Sequence, residues 1–479
     1  MRTKLKFTTA ILGAALLFLQ SNAAALGSTN YVLDTDGKTQ IATPITHQVT
    51  EVYDYFGAEG GMLKKPSDLF VSKDDCIYIA DTENNRIVKL DQSGKYIRSF
   101  TDSGRLNAPG GVFVSDQGDL FVGDTQNERI VHLDQEDRFI EEFKKPKSEM
   151  LDSNMDFQVS RLGISEQGYI YLIKGQHFMT IDANNEFKGY VGANELGFSL
   201  IRTLIRAFAS REQQERLLKE EPPAYNSFDI GADGMVYATT AETKNSGQIR
   251  KINAVGVNIY PEKTYGETYY NEQTKVFNNP RFVDIAVEKS GIVYVLEQYR
   301  SCVYAYDQEG NLLTVFGGSG KIKGRFEVPN SIDINSNGDV FVLDGSTGYI
   351  HRFSRTDFMA NIISAVDEYN NGKYQEAYAS WQKVLQIDAN YPVANRGIAQ
   401  ALYKDGRMDE AMEYYELAED KSGYGAAFSE RRYELFRAYF GWLVLAGVVI
   451  IIGIIILIVW LKKRADRMVG SYYQKGNKS

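Results

Sequence analysis

Between Thr50 and Arg355 the chain repeats itself, and this self-similarity restricts the fold more than any other feature of its 479 residues. The stretch from Cys76 to Asp91 (Cys-Ile-Tyr-Ile-Ala-Asp-Thr-Glu-Asn-Asn-Arg-Ile-Val-Lys-Leu-Asp) aligns without a gap on the stretch from Ile292 to Asp307. Asp119 to Asp134 and Asp339 to Ser354 fit the same frame. Ahead of each stands an apolar residue three before a proline: Leu63 and Pro66, Leu106 and Pro109, Phe277 and Pro280, Phe326 and Pro329. Each unit reads as four short strands separated by Gly, Asp and Asn turns; in the first they are Asp68–Val71, Cys76–Ala80, Arg86–Leu90 and Tyr96–Phe100.

Two weaker units fill the middle. One places strands near Arg161–Ser165, Tyr169–Lys174, Phe178–Ile181 and Phe187–Val191; the other near Phe228–Gly231, Met235–Thr239, Gln248–Ile252 and Gly256–Tyr260. The strands are apolar on both faces, which suits small sheets stacked between neighbours. Six units predict a mainly β chain folded as a six-bladed β-propeller over 45–356. The last unit stops after its third strand, Tyr349–Phe353, while Glu51–Phe56 precedes the first and resembles a fourth strand. Glu51–Phe56 is therefore expected to complete the sixth blade and close the ring.

The repeats resemble the NHL family, whose pattern of proline, strand, Tyr-Val-Ala-Asp and then Asp-x-x-Asn-x-Arg-Ile is matched by Asp81, Asn84, Arg86 and Ile87 and by Asp124, Asn127, Arg129 and Ile130. The resemblance is specific in units one, two, five and six. Downstream, Gly372 to Trp381 aligns with Gly406 to Tyr415, which puts Ala377 and Ala411 in equivalent frames. This resembles the tetratricopeptide repeat, where small residues at the alanine positions let paired helices approach. The family's proline is displaced, with Ala389 in its place and Pro392 after it. An all-α module over 358–440 is expected, capped by a helix running towards residue 440.

The two ends point to a membrane. Arg2, Lys4 and Lys6 precede a short apolar run, Ile11 to Leu19, and small residues around Ala23 to Ala25, as in a secretory signal over 1–25. Residues 441–461 carry no charge, and as a helix they would be about 30 Å long, the thickness of a bilayer's hydrocarbon core. Lys462, Lys463, Arg464 and Arg467 follow, which places the tail 462–479 in the cytoplasm and the bulk of the chain outside. Arg431, Arg432 and Arg437 on the other flank weaken the charge argument taken alone, but a cleaved signal gives the same orientation. The expectation is a single-pass protein of the cell membrane.

Net charge is −9, and no dense basic run lies outside the two ends, so nucleic acid is not an expected partner. His47, His132, His177 and His351 lack ligand spacing, no G-x-S-x-G cue occurs, and no cofactor is expected. Cys76 and Cys302 fall two blades apart, too far for a bridge.

Asp81, Asp124, Glu297 and Asp344 share one repeat position, at the rim where second strands turn into third strands. They could form an acidic arc that binds a cation, an amine or a basic segment, or each could shape its own turn. Residues 194–221 interrupt the middle units with leucines at helical spacing and are expected to form a helical insert on that rim. The function that follows is a non-catalytic, membrane-anchored binding or assembly protein for protein or glycan partners. The alternative is a metal-dependent, gluconolactonase-like hydrolase working at the propeller mouth.

Overall fold

The computed structural model describes residues 30–34, 37–148, 150–151, 154–192, 224–240, 246–271 and 274–476, with side chains as far as 467. The expected signal segment 1–25 and helical insert 194–221 lie outside the described residues. Six antiparallel sheets stand around one axis, each with its first strand innermost. Blade one is Asp68–Val71, Ile77–Asp81, Arg86–Leu90 and Tyr96–Phe100, in consecutive order. Blade two is Gly111–Val114, Leu120–Asp124, Arg129–Leu133 and Phe139–Lys144; blade three is Val159–Ile164, Ile170–Lys174, His177–Ile181 and Phe187–Tyr190. The second strands of blades one, two, four, five and six are buried along their whole length, which is why their sequence runs apolar rather than alternating.

Blade four has three strands, Tyr225–Ile230, Val236–Thr240 and Ile249–Ile252, rather than the expected four. Segment 256–260 meets the third strand at a single bridge, Ile252 with Asn258. Asn258 is the physical reason: its Oδ1 accepts from the backbone N–H groups of Lys251 and Tyr260, taking the place of ladder bonds. Blade five gains strands instead. Beyond Phe282–Val287, Val293–Glu297, Cys302–Tyr306 and Leu312–Gly317, it is widened by Tyr31–Leu33 and Gln40–Ala42, which precede the expected propeller start at 45.

Blade six joins the two ends of the repeat region. Pro329–Ile334, Val340–Asp344 and Ile350–Arg355 are followed outward by His47–Tyr53, with Tyr53 opposite Ile350 and His47 opposite Arg355. The closing strand thus lies a few residues upstream of the expected Glu51–Phe56. The third strand of this blade begins at Ile350, so residues past Tyr53 have nothing to pair with, and Phe56 turns into the single helical turn Gly57–Gly60.

The turns that leave the third strands repeat one device. The side-chain oxygens of Asp91, Asp134, Asp182, Asn253 and Asp307 each accept the backbone N–H groups two and four residues on. At Asp307 burial pushes the carboxyl up to about 6.

Behind blade six come α1 (Asp357–Asn370), α2 (Tyr374–Ile387), α3 (Pro392–Lys404) and α4 (Met408–Leu417), then the long α5 (Lys421–Gly476). Ala377 and Ala411 are fully buried at the helix crossings, and a Cβ on Gly397 would come within 2.3 Å of the Trp381 indole. The module sits against blades five and six. Phe358, Met359, Trp381, Tyr391 and Ile398 share one continuous core with Tyr294, Val303, Leu313 and Phe353. Tyr391, with no exposed surface, donates its hydroxyl to the Leu313 carbonyl at 2.5 Å. Thr356 caps α1 and also donates to the Ile45 carbonyl at 2.6 Å, tying the module to the closing strand. Cys76 and Cys302 are free and buried.

Deleting residues 47–53 strips blade six of its outer strand and should lower the melting temperature of the detergent-solubilised protein by about 5–10 °C; an unchanged melt contradicts closure by this strand. Asp307→Asn tests the part-buried aspartate of this turn. Its folded pKa lies above the usual 3.8, so the native protein loses stability as pH rises from about 4 to 6. Asparagine, which serves at 253, keeps the turn without that cost. The variant should match the parent at pH 4 and exceed it by about 2 kcal/mol above pH 7 in denaturant titrations.

Candidate functional site

The four rim carboxylates expected from the repeats come first. Asp81 Oδ1 accepts from Lys64 N at 2.7 Å, and its Oδ2 accepts from Asn84 Nδ2 and Arg86 Nε, both at 2.8 Å. Asp124 does the same with Asn107 N, Asn127 Nδ2 and Arg129 Nε. The Asp-x-x-Asn-x-Arg pattern is therefore a latch, in which one carboxylate ties the incoming link to its own turn. Glu297 accepts from the N–H groups of Arg281, Tyr299 and Arg300, and burial raises its pKa. Asp344 accepts from those of Glu327, Val328 and Ser346. Each is at most 1% exposed and serves its own blade. At the same position blades three and four carry Lys174 and Thr240, which accounts for their weak resemblance.

A second set of polar residues, which the repeat pattern does not disclose, lines the axis. The innermost strands are stitched blade to blade by carboxylates accepting backbone N–H groups. Asp229 accepts from Val287 at 2.7 Å, Asp284 from Ile332 at 2.8 Å, Asp333 from Val71 at 2.6 Å and Asp68 from Val112 at 2.9 Å. Where this stitching lapses, glycines let the strands touch: a Cβ on Gly111 would meet Ser160 O at 3.0 Å, and one on Gly163 would meet Phe228 at 3.1 Å.

Side chains across the axis form two layers. The strand registers align Asp68, Gly111, Arg161, Ser227, Asp284 and Ser331 in the first, one from each blade. Arg161 plugs it. Its guanidinium donates to the carbonyls of Ser67 and Asn330 at 3.1 and 3.0 Å, and lies 3.3 Å from Asp68 and 3.9 Å from Asp284. Burial holds Asp68 at about 6 although Arg161 pulls the other way. Two residues further along each strand, the second layer holds Phe70, Phe113, Gly163, Asp229, Ala286 and Asp333. Burial raises Asp229 to about 6 and Asp333 well above the carboxylate range.

Below the plug lies a cavity of about 630 Å³, which opens among the turns between first and second strands, at Glu166, Asp233 and Lys289. The helical module borders the same face, where Arg355 at its root pairs with Glu288 at 2.9 Å and Gln400 bonds Glu309 at 3.0 Å. Among the described residues, no group of three His, Cys, Asp or Glu is placed to hold a metal ion.

Residues 369–421 match the tetratricopeptide repeat family. No curated protein sequence matches the chain. Among solved structures, a streptogramin B lyase is 13% identical over 68% of this chain and 85% of its own, with a TM-score of 0.39. The virginiamycin B lyase of Staphylococcus aureus is 12% identical over 68% and 87%, with a TM-score of 0.39. A gluconolactonase of Xanthomonas campestris is 9% identical over 65% and 95%, with a TM-score of 0.42. Likeness this distant carries no functional argument.

Replacing Arg161 by Met leaves Asp68 and Asp284 buried without a cation and should cost about 3–5 kcal/mol in urea unfolding, with Arg161→Lys in between. Wild-type stability in Arg161→Met would show that the plug is not held by charge.

Proposed function

We propose that this chain is a non-catalytic scaffold, anchored in the cell membrane with its bulk outside the cytoplasm, which gathers protein or glycan partners. The carrying observation is the rigid seating of a helical repeat module on a propeller, with the module's last helix continuing as the apolar segment. Phe358, Trp381 and Tyr391 join the propeller core, so two interaction modules are held in fixed geometry rather than on a linker. Helix α5 is long and apolar enough to cross a membrane, with a mean hydropathy of 3.3 over its most apolar stretch. Lys462, Lys463 and Arg464 follow that stretch and favour a cytoplasmic end.

The two propeller faces differ in what they offer. One carries the module; the other carries a hairpin, Tyr269–Asn271 with Val276–Asn278, whose Phe277 is 70% exposed beside Tyr270 at 5.1 Å. Exposed aromatic pairs of this kind suit a partner surface.

Orientation and binding are tested together in intact cells. Added protease should digest the propeller while a tag after Ser479 stays protected, and a tag labelled without permeabilisation contradicts the orientation. A photo-cross-linker at Phe277 should give discrete higher-mass adducts that the same group buried at Val303 does not; identical patterns at both positions contradict a binding role for that face.

A further inference from the structure

The axial cavity has contents that the scaffold role does not use. We infer that it is a binding site for a small organic cation, an ammonium compound bearing an oxygen acceptor, which enters from the face that carries the helical module. Three observations converge on this chemistry.

The first is size and shape. A cavity of about 630 Å³, closed at its inner end by Arg161 and open at the turns, has the capacity of a small-molecule site. The second is charge. Asp68, Asp284, Asp229 and Asp333 line it against one guanidinium, and Arg161 already faces the first two. Among the described residues Asp229 and Asp333 face no such cation: each of their oxygens accepts one backbone N–H, from Val287 and Ile230 and from Val71 and Ile334. A carboxylate oxygen that accepts one hydrogen bond has capacity left for a second. Burial shifts both groups upward, towards the protonated form, because no cation stands beside them to favour the carboxylate. A cation entering the cavity favours that form, whereas an anion would meet four carboxylates.

The third is the apolar side of the same layer. Phe70 and Phe113, with ring centroids 5.0 Å apart, line the wall contributed by blades one and two. Blade one stands opposite blade four in a ring of six, so the aromatic pair looks across the axis towards Asp229. Aromatic faces opposite carboxylates favour an ammonium over a bare metal ion, because the rings attract a cation that keeps no tight water shell. At the inner end, Arg161 Nε is buried with no hydrogen-bond partner among the described residues, 3.9 Å from Asp284. An oxygen acceptor on the ligand would satisfy that donor. Lys289 at the mouth, with Glu166 and with Asp233, which Lys251 holds at 2.7 Å, leaves the entrance of mixed charge.

The test is isothermal titration calorimetry on the full-length protein in detergent near neutral pH, with choline and ethanolamine as probes. The neutral carbon isostere of choline, tert-butyl in place of trimethylammonium, is the control. At least one probe should bind saturably and about tenfold or more tighter than the isostere. Asp333→Asn should weaken that binding by about tenfold. Phe113→Leu, which leaves the carboxylate stitching in place, should weaken it severalfold and decides the question if the first variant does not fold. Absence of saturable heat with both probes, equal affinity for the isostere, or unchanged affinity in a folded Phe113→Leu protein would overturn the proposal.

Discussion

The pairing of His47–Tyr53 with Ile350–Arg355 is the contact on which everything else in this molecule rests. A propeller is a ring of sheets that touch only their neighbours, so its geometry is set only once the first and last blades meet. Here one strand from before the repeats completes the last blade and leaves no unpaired edge at the seam. The cavity exists because the closed ring brings Asp333 of blade six onto Val71 of blade one. The helical module begins where that seam ends, with Thr356 bonded to the carbonyl of Ile45.

Burial, not ionic attraction, sets the character of the interior. His47 shows it at the seam. It stacks on Phe316 at 4.2 Å and approaches the Tyr294 hydroxyl at 3.3 Å, and its pKa falls to about 3 because burial disfavours the imidazolium. It is a neutral core residue. Asp68, Asp229 and Asp333 go the other way, raised by the same desolvation, and each accepts a backbone N–H from the neighbouring blade. A carboxylate placed between two strands can bond both, which a hydroxyl or an apolar side chain cannot do with equal strength.

How much of this was legible follows from periodicity. The Asp81 and Asp124 latches could be read because aspartate, asparagine and arginine recur at fixed offsets within one local turn. The number of blades and the idea of closure followed from the same repeat. The axial carboxylates were hidden because they alternate between two columns of the repeat. Asp68 and Asp284 stand in the layer that pairs with Ala80 and Leu296, whereas Asp229 and Asp333 stand two residues further along their strands, opposite Tyr237 and Phe341. No column of the repeat contains all four, and the first-layer position is filled in the other blades by Gly111, Arg161, Ser227 and Ser331. Tyr31–Leu33 and Gln40–Ala42 gave no signal because two three-residue strands have no period to detect. The seating of the helical module depends on contacts such as Tyr391 with Leu313, far apart in sequence and invisible to local patterns.

Hydrogen–deuterium exchange on the full-length protein in detergent tests the closed ring most directly. If the seam is an integral part of the blade, amides of 47–53 exchange as slowly as those of 350–355, and both open together with the start of α1. Fast exchange across 47–53 beside a protected 350–355 would contradict closure, and with it the cavity and the docking of the module that depend on it.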